Sequence, residues 1–305
     1  MARVFVTRPL PGTAVEQLRA AGHAVSVHPG PLPPTRAELE AGVAQAEGLL
    51  CLLTERVDGA LLDRAPHLRA IANYAVGSDN VDREAAAARG IAVGVTPDVL
   101  TDATADLALA LLLAAARHLP AAAQSVREGA WRTFEPQGWL GLELRGACLA
   151  IVGHGRIGRA VGERAVAFGM ELLPVGRGDD LHGALTHADA VTLHCPLNPD
   201  TRHLIDARAL AAMRPGAILV NTARGGVVDQ VALAAALRDG VIGAAALDVT
   251  DPEPLPADDP LLDAPNLLVL PHIGSATHAA RERMADLAAG NLLAALAGAP
   301  MPHPA

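Results

Sequence analysis

The chain has 305 residues, 51% of them apolar and 19% charged, enough for about two cored domains and unlike the composition of a disordered segment. Its net charge is −9, from 24 basic and 33 acidic residues, and the basic residues form no cluster, which argues against a nucleic-acid surface. Every basic residue is arginine; without lysine, Schiff-base, pyridoxal-phosphate and P-loop chemistry are excluded.

The three cysteines, Cys51, Cys148 and Cys195, are far apart and suit reduced thiols, and the 12 histidines show no ligand spacing, so no metal is expected. The longest uncharged apolar run, residues 107–116, is half of the roughly 20 residues a membrane span needs. No basic segment followed by an apolar stretch opens the chain, so no membrane partner is expected and the cytoplasm is the expected location.

Strands are expected at residues 3–7, 24–28, 48–53, 68–73 and 91–95, with helices at 13–21, 35–46, 58–64 and 81–89 between them. The strand segments are continuous apolar runs, as in parallel sheets covered on both faces. They describe a doubly wound α/β domain of about 95 residues. A long, largely apolar helix follows from residue 101 to about 118, with Pro120 expected beyond its end. A second β/α series has strands at 148–152, 171–175, 190–194, 217–221, 244–249 and 267–270. A final helix spans 277–296.

The second series opens with Gly153-His154-Gly155-Arg156-Ile157-Gly158 between a strand and a helix. Gly153 permits the tight turn, Gly155 lets a pyrophosphate approach the backbone, and Gly158 lets helix pack close to strand, so the pattern points to a dinucleotide. The next strand ends at Gly176-Arg177, where a carboxylate would grip the ribose of NAD. An arginine there can bind a 2′-phosphate, which favours NADPH, with NADH possible. Alternatively Arg177 faces solvent, or Asp179 or Asp180 takes over the ribose.

Hydride transfer to a keto acid also needs a cation for the carboxylate and an acid for the carbonyl oxygen, with a partner that keeps the acid charged. Arg224, His272 and Glu253 each follow an expected strand and supply these three. Cysteine chemistry at Cys195 is disfavoured, because adjacent strand residues point to opposite faces.

Several stretches occur in order along nearly the whole chain: Asn73-Tyr-Ala-Val-Gly77-Ser78-Asp-Asn-Val-Asp82, Thr96-Pro-Asp-Val-Leu-Thr-Asp-Ala-Thr104-Ala-Asp106, the glycine loop, His194-Cys-Pro-Leu197, Asn221-Thr-Ala-Arg224 and Pro271-His272-Ile-Gly-Ser-Ala-Thr277. Together they resemble the D-isomer-specific 2-hydroxyacid dehydrogenases, and within them the glyoxylate/hydroxypyruvate reductase branch. The resemblance implies a Rossmann-type cofactor domain (98–282) and a discontinuous flavodoxin-like substrate domain (1–97 with about 283–305), with catalysis in the cleft between them. It also implies a homodimer through the cofactor domains and a small 2-keto or 2-hydroxy acid as substrate.

Carried onto this sequence, the resemblance gives Arg224 the substrate carboxylate, His272 the proton donation, and Glu253 the task of raising the imidazole pKa. Amides of Val76 and Gly77, with Ser275, would complete the substrate site. Asp248 would fix the nicotinamide carboxamide, and Thr104, Cys195, Pro196, Thr222 and Gly274 would line the cofactor site. Three features depart from the pattern. The segment after Arg177 is short and carries Gly178-Asp179-Asp180; Ser78 stands where a larger residue is common; and Trp139 lies in an arm that often reaches a neighbouring subunit, where interface packing is the favoured role. Glu253 argues against formate dehydrogenases, and Gly176 against the D-lactate and phosphoglycerate enzymes. A nucleotide-sensing corepressor is the alternative from another class.

Overall fold

The computed structural model describes all 305 residues, which divide into two units: Met1–Leu100 with Ala276–Ala305, and Thr101–Ser275. The first unit alternates β1 (Arg3–Val6), α1 (Ala14–Ala20), β2 (Ala24–Val27), α2 (Arg36–Val43), β3 (Gly48–Cys51), α3 (Gly59–Asp63), β4 (Ala70–Asn73), α4 (Arg83–Ala88) and β5 (Ala92–Gly94). The strands pair in parallel in the order β2-β1-β3-β4-β5, so the direction of winding reverses between β1 and β3. The inner strands β3 and β4 are buried along their whole length. Edge strand β2, Ala-Val-Ser-Val, instead alternates between exposed and half-buried positions, because an edge escapes full cover on both faces.

Helix starts are chemically marked. Thr35 and Glu38 form a reciprocal capping box at α2, and Asp58 and Asp82 accept from Leu61 N–H and Ala85 N–H at α3 and α4. Such caps stabilise a helix by about 1 kcal/mol each.

The second unit begins with α5 (Thr101–Ala116) and α6 (Leu119–Arg127). The sequence predicts one helix to about His118 with Pro120 beyond it. Instead the chain breaks at His118, which takes a left-handed φ of 51°, and Pro120 sits in the first turn of α6, at 61° to α5. Proline lacks an N–H but the first turn has no intrahelical acceptor for one, so it starts a helix as readily as it ends one. No single helix is long and apolar enough to cross a membrane.

There follow β6 (Cys148–Val152), α7 (Arg156–Ala167), β7 (Glu171–Val175), α8 (Leu181–His187), β8 (Ala190–Leu193), α9 (Ala207–Ala212), β9 (Ile218–Asn221), α10 (Gln230–Arg238), β10 (Ala244–Leu247) and β11 (Leu267–Val269). All pair in parallel in the order β11-β10-β9-β8-β6-β7, reversing between β6 and β8. Both faces are covered, as the continuous apolar runs require. Leu149 and Ile151 of β6 pack with α5 and α7, while Ala150 and Val152 join the opposite core with residues of α8, α9 and α10. Asp180, Asp206 and Asp229 cap those last three helices.

Helix α11 (His278–Leu296) completes the first unit, lying on β3, β4 and β5 and against α1. Asn291 is fully buried in it; its amide donates to the Val95 carbonyl at 2.9 Å and its oxygen accepts from His303 N–H at 3.0 Å. These bonds tie the C-terminal tail to the end of β5.

Candidate active site

The glycine loop joins β6 to α7 at the point where the six-stranded sheet reverses. Gly153 has φ +94°, and a Cβ there would lie 2.5 Å from the Cys195 nitrogen and 2.6 Å from the His194 carbonyl carbon. The turn is therefore packed directly onto the end of β8. A Cβ on Gly158 would lie 2.2 Å from the Gly153 carbonyl oxygen, so only glycine lets α7 approach the strand. Gly155 differs: a Cβ there would meet nothing within 4 Å. It is the N-cap of α7 and offers no side-chain acceptor to the first-turn amides of the helix, which opens at exposed Arg156 and half-buried Ile157. A helix N-terminus without a side-chain cap, beside a glycine that needs no room for its own fold, fits a dinucleotide pyrophosphate.

At the end of β7 a carboxylate appears that the strand itself lacks. Asp179 folds back and accepts from Gly176 N–H at 2.7 Å, while Asp180 is committed to capping α8 through Gly183 N–H at 2.9 Å. Arg177 is exposed beside them. Each of the two acidic candidates for the ribose thus has one carboxylate oxygen bound to a backbone amide, Asp179 at the end of β7 and Asp180 at the start of α8.

At the end of β8, His194 bridges two strand ends. Its Nε2 lies 2.9 Å from Thr192 Oγ1, and its Nδ1 lies 3.4 Å from Thr222 Oγ1. Burial pushes this imidazole down to about 4 and the neighbouring Cys195 thiol up, so both stay uncharged at neutral pH. The Pro196 carbonyl accepts from Thr201 Oγ1 at 2.6 Å, closing the loop that follows.

Asn221, fully buried at the end of β9, shapes the turn that carries Arg224. Its oxygen accepts from Ala223 N–H and its amide donates to the Arg224 carbonyl, both at 2.9 Å. One guanidinium nitrogen of Arg224 donates to the Ala223 carbonyl at 2.9 Å. The next residue, Gly225, runs against Thr250, whose carbonyl carbon would lie 2.0 Å from a Cβ.

Beyond β10, Asp248 is almost wholly buried and its carboxylate accepts from Ile273 N–H and Gly274 N–H, both at 2.7 Å. Its main-chain carbonyl accepts from His272 N–H at 2.9 Å. Burial raises the carboxyl, against the opposing pull of those two amides and of His272. Thr104 Oγ1 donates to the Gly274 carbonyl at 3.3 Å from α5. Asp248 thus holds the loop that bears His272, a positioning task the sequence did not disclose. His272 itself has φ +54°, and its Nδ1 lies 2.5 Å from Glu253 Oε1. Its Nε2 makes no hydrogen bond within the chain.

The second unit thus gathers His272 with Glu253 and Asp248, Thr104 with Gly274, and Thr222 with His194. Ser275 is half-buried three residues beyond His272 and joins no side-chain hydrogen bond. Val76 and Gly77 belong to the first unit, in the loop after β4, where no main-chain bond uses either N–H.

Residues 109–274 match the family model for the NAD-binding domain of D-isomer specific 2-hydroxyacid dehydrogenases. The chain belongs to this family. It is 44% identical to a glyoxylate reductase of Thermococcus litoralis, over 96% of this chain and 93% of that one. It is 43% identical to the human glyoxylate reductase/hydroxypyruvate reductase, over 98% and 96%. A crystal structure of a Thermus thermophilus protein superposes with a TM-score of 0.94 at 50% identity, covering 99% of both chains. The NADPH-dependent glyoxylate/hydroxypyruvate reductase of Sinorhizobium meliloti, solved with NADP and malonate, superposes at 0.86 with 33% identity, covering 100% of this chain and 96% of that one. This dehydrogenase is accordingly an NAD(P)-dependent oxidoreductase with two parallel α/β units, the second of Rossmann type.

Proposed function

We propose that this dehydrogenase reduces glyoxylate and hydroxypyruvate to glycolate and D-glycerate, taking NADPH and accepting NADH. The observation that carries the reading is the His272–Glu253 pair on a loop clamped by Asp248. A carboxylate on Nδ1 fixes the tautomer and orients the ring, so that the protonated imidazole presents Nε2–H. A bound reduced nicotinamide supplies the hydride that arrives at the carbonyl carbon. His272 gives its Nε2 proton to the carbonyl oxygen, and Glu253 balances the charge of the imidazolium beforehand. Arg224 pairs with the substrate carboxylate and aligns the carbonyl, with the amides of Val76 and Gly77 and the hydroxyl of Ser275 as further donors.

The glycine loop, with Arg156 and Ile157 opening α7, holds the pyrophosphate; Thr104, Cys195, Pro196, Thr222, Asp248 and Gly274 line the rest of the cofactor site. Arg177 binds the 2′-phosphate of NADPH, and the Asp179 carboxylate at the strand end keeps NADH usable. The relatives named above, two of them reductases of glyoxylate and hydroxypyruvate, support this assignment. Loss of the near-ultraviolet band of the reduced nicotinamide, with each keto acid paired with each cofactor, is the direct test. Oxidation of NADPH by glyoxylate or hydroxypyruvate supports the reading; inertness of both acids with both cofactors rejects it.

The working form we propose is a homodimer. Between α6 and β6 the chain exposes Trp131, Phe134 and Trp139, at 71, 85 and 52%, which is both of its tryptophans and one of three phenylalanines. Aromatic residues grouped at that exposure mark an association surface. Light scattering that returned the 31.2 kDa monomer at micromolar concentration would reject the dimer.

A further inference from the structure

The loop after β4 is held by side-chain amides that no motif assigns. Asn73 ends β4 and is fully buried; its Nδ2 donates to the Gly77 carbonyl at 2.8 Å and to Asn80 Oδ1 at 2.9 Å. Asn80 Nδ2 in turn donates to the carbonyls of Leu52 and Glu55, each at 3.0 Å. Those two residues lie in the loop after β3, which has its own anchor. The Glu55 carboxylate is 3% exposed and accepts from Thr7 Oγ1, Leu52 N–H and Thr54 Oγ1, each at 2.6 Å, with Arg8 at 3.6 Å. The loops after β1, β3 and β4 are therefore tied together at the C-terminal end of the five-stranded parallel sheet.

The turn at residues 75–78 is suspended from this network by its carbonyls. The Ala75 carbonyl accepts from Thr96 N–H at 2.8 Å, and the Gly77 carbonyl accepts from Asn73. Across a planar trans peptide the N–H points opposite to the C=O. Pinning the carbonyls of Ala75 and Gly77 into the scaffold therefore turns the N–H groups of Val76 and Ser78 away from it. Val76 is 40% exposed, so donors freed in this way are reachable by a ligand.

We propose that Asn73 and Asn80 are positioning residues that hold the Val76–Gly77 turn in the shape that receives the carboxylate of the keto acid. The proposal rests on the reductase reading above and adds the residues that hold the turn bearing its anion-binding amides, with Ser78 N–H as a further donor. Asn73 acts through the Gly77 carbonyl, and Asn80 acts by keeping the Asn73 amide aimed at it. Neither touches the cofactor loop or the proton donor, so their loss falls on substrate binding.

The test compares N73A, N80S and a core control, L61A, whose side chain is fully buried in α3 of the same unit. With saturating NADPH, N73A raises KM for glyoxylate about tenfold or more, the usual effect of unsatisfying a buried acceptor, and leaves kcat within about twofold. N80S raises it less, and the dissociation constant for NADPH is unchanged in both. L61A lowers the melting temperature at least as far without moving KM. A KM that stays put in N73A and N80S, or that moves equally in L61A, overturns the proposal. Oxalate, a planar mimic of the keto acid, separates this from failure of the reductase reading. It slows amide exchange at residues 74–78 in the wild type, even if glyoxylate is not turned over, and does so less in N80S. Absence of that protection in the wild type overturns the proposal as well.

Discussion

The Nδ1 nitrogen of His272 lies 2.5 Å from Glu253 Oε1, and the residue that carries the ring is held at φ +54° by hydrogen bonds to Asp248 on either side of its Cα. A left-handed conformation is unfavourable for a residue with a Cβ and persists where the surroundings determine it. Asp248 determines it with three backbone bonds, and Glu253 then fixes the ring. Replacing His272 with Asn removes the proposed proton donor and lowers kcat by about 10²–10⁴-fold, the usual contribution of a positioned acid. Glu253→Gln keeps an acceptor for Nδ1–H but loses the charge, which lowers kcat by about 10–100-fold with an unchanged melting temperature. Steady-state kinetics beside a thermal melt check both; an H272N variant with wild-type turnover would show that another group supplies the proton.

The glycine loop separates folding from binding in a way two alanine substitutions expose. Gly155→Ala places a methyl group in open space at φ −78°, so the fold keeps its melting temperature, while the pyrophosphate loses its close approach and NADPH binds at least about tenfold more weakly. Gly158→Ala puts the same methyl 2.2 Å from the Gly153 carbonyl and forces α7 off the strand, which lowers the melting temperature by several degrees. Calorimetric melting and a cofactor titration on the two variants decide this. Equal destabilisation of both would mean that Gly155 is held by packing rather than kept open for a ligand.

In the proposed cofactor site, choice between NADPH and NADH turns on two neighbouring side chains of opposite charge. Arg177 attracts a 2′-phosphate, whereas Asp179, held to Gly176 N–H at 2.7 Å, places a carboxylate at the strand end that repels it. Asp179→Asn keeps a side-chain acceptor and removes the charge, so the ratio of kcat/KM for NADPH over NADH rises, by about tenfold for a single charge interaction. Arg177→Ala lowers the same ratio by a similar factor. Dissociation constants of both cofactors, measured by nicotinamide fluorescence, shift in parallel with these ratios. A ratio indifferent to Asp179 would assign that carboxylate to shaping the turn alone.

The sheets were legible because parallel strands covered on both faces leave unbroken apolar runs, and the glycine loop because each of its positions answers a separate steric demand. The break at His118 was not legible: a proline after an apolar helix signals a stop, and only tertiary packing shows that it opens α6. The duties of Asp248, Asn73 and Asn221 were hidden for a related reason. Each is a buried polar side chain at a strand end whose partners lie in the following turn or in a loop 25 or 26 residues away, and spacing along the chain does not reveal which backbone amides those loops leave unpaired. The fold-back of Asp179 belongs with them.

His194 gives the molecule an acid limb of stability independent of catalysis. Burial holds its imidazole at about 4, well below the ordinary range, so the unfolded chain binds this proton more readily than the folded one. Stability from the neutral ring is fully present above the ordinary imidazole pKa and is lost as the pH falls from there towards about 4. A depression of this size corresponds to up to about 3 kcal/mol. His194→Gln cannot ionise, and a glutamine reaches Thr192 Oγ1 as the imidazole Nε2 does, so the variant is less stable near neutrality but loses less on acidification. Urea denaturation of both proteins at intervals between about pH 7 and about pH 4.5 measures the two slopes. Parallel slopes would mean that the unfolding acid response comes from carboxylates, and that the Thr192–His194–Thr222 bridge keeps its ring accessible to protons.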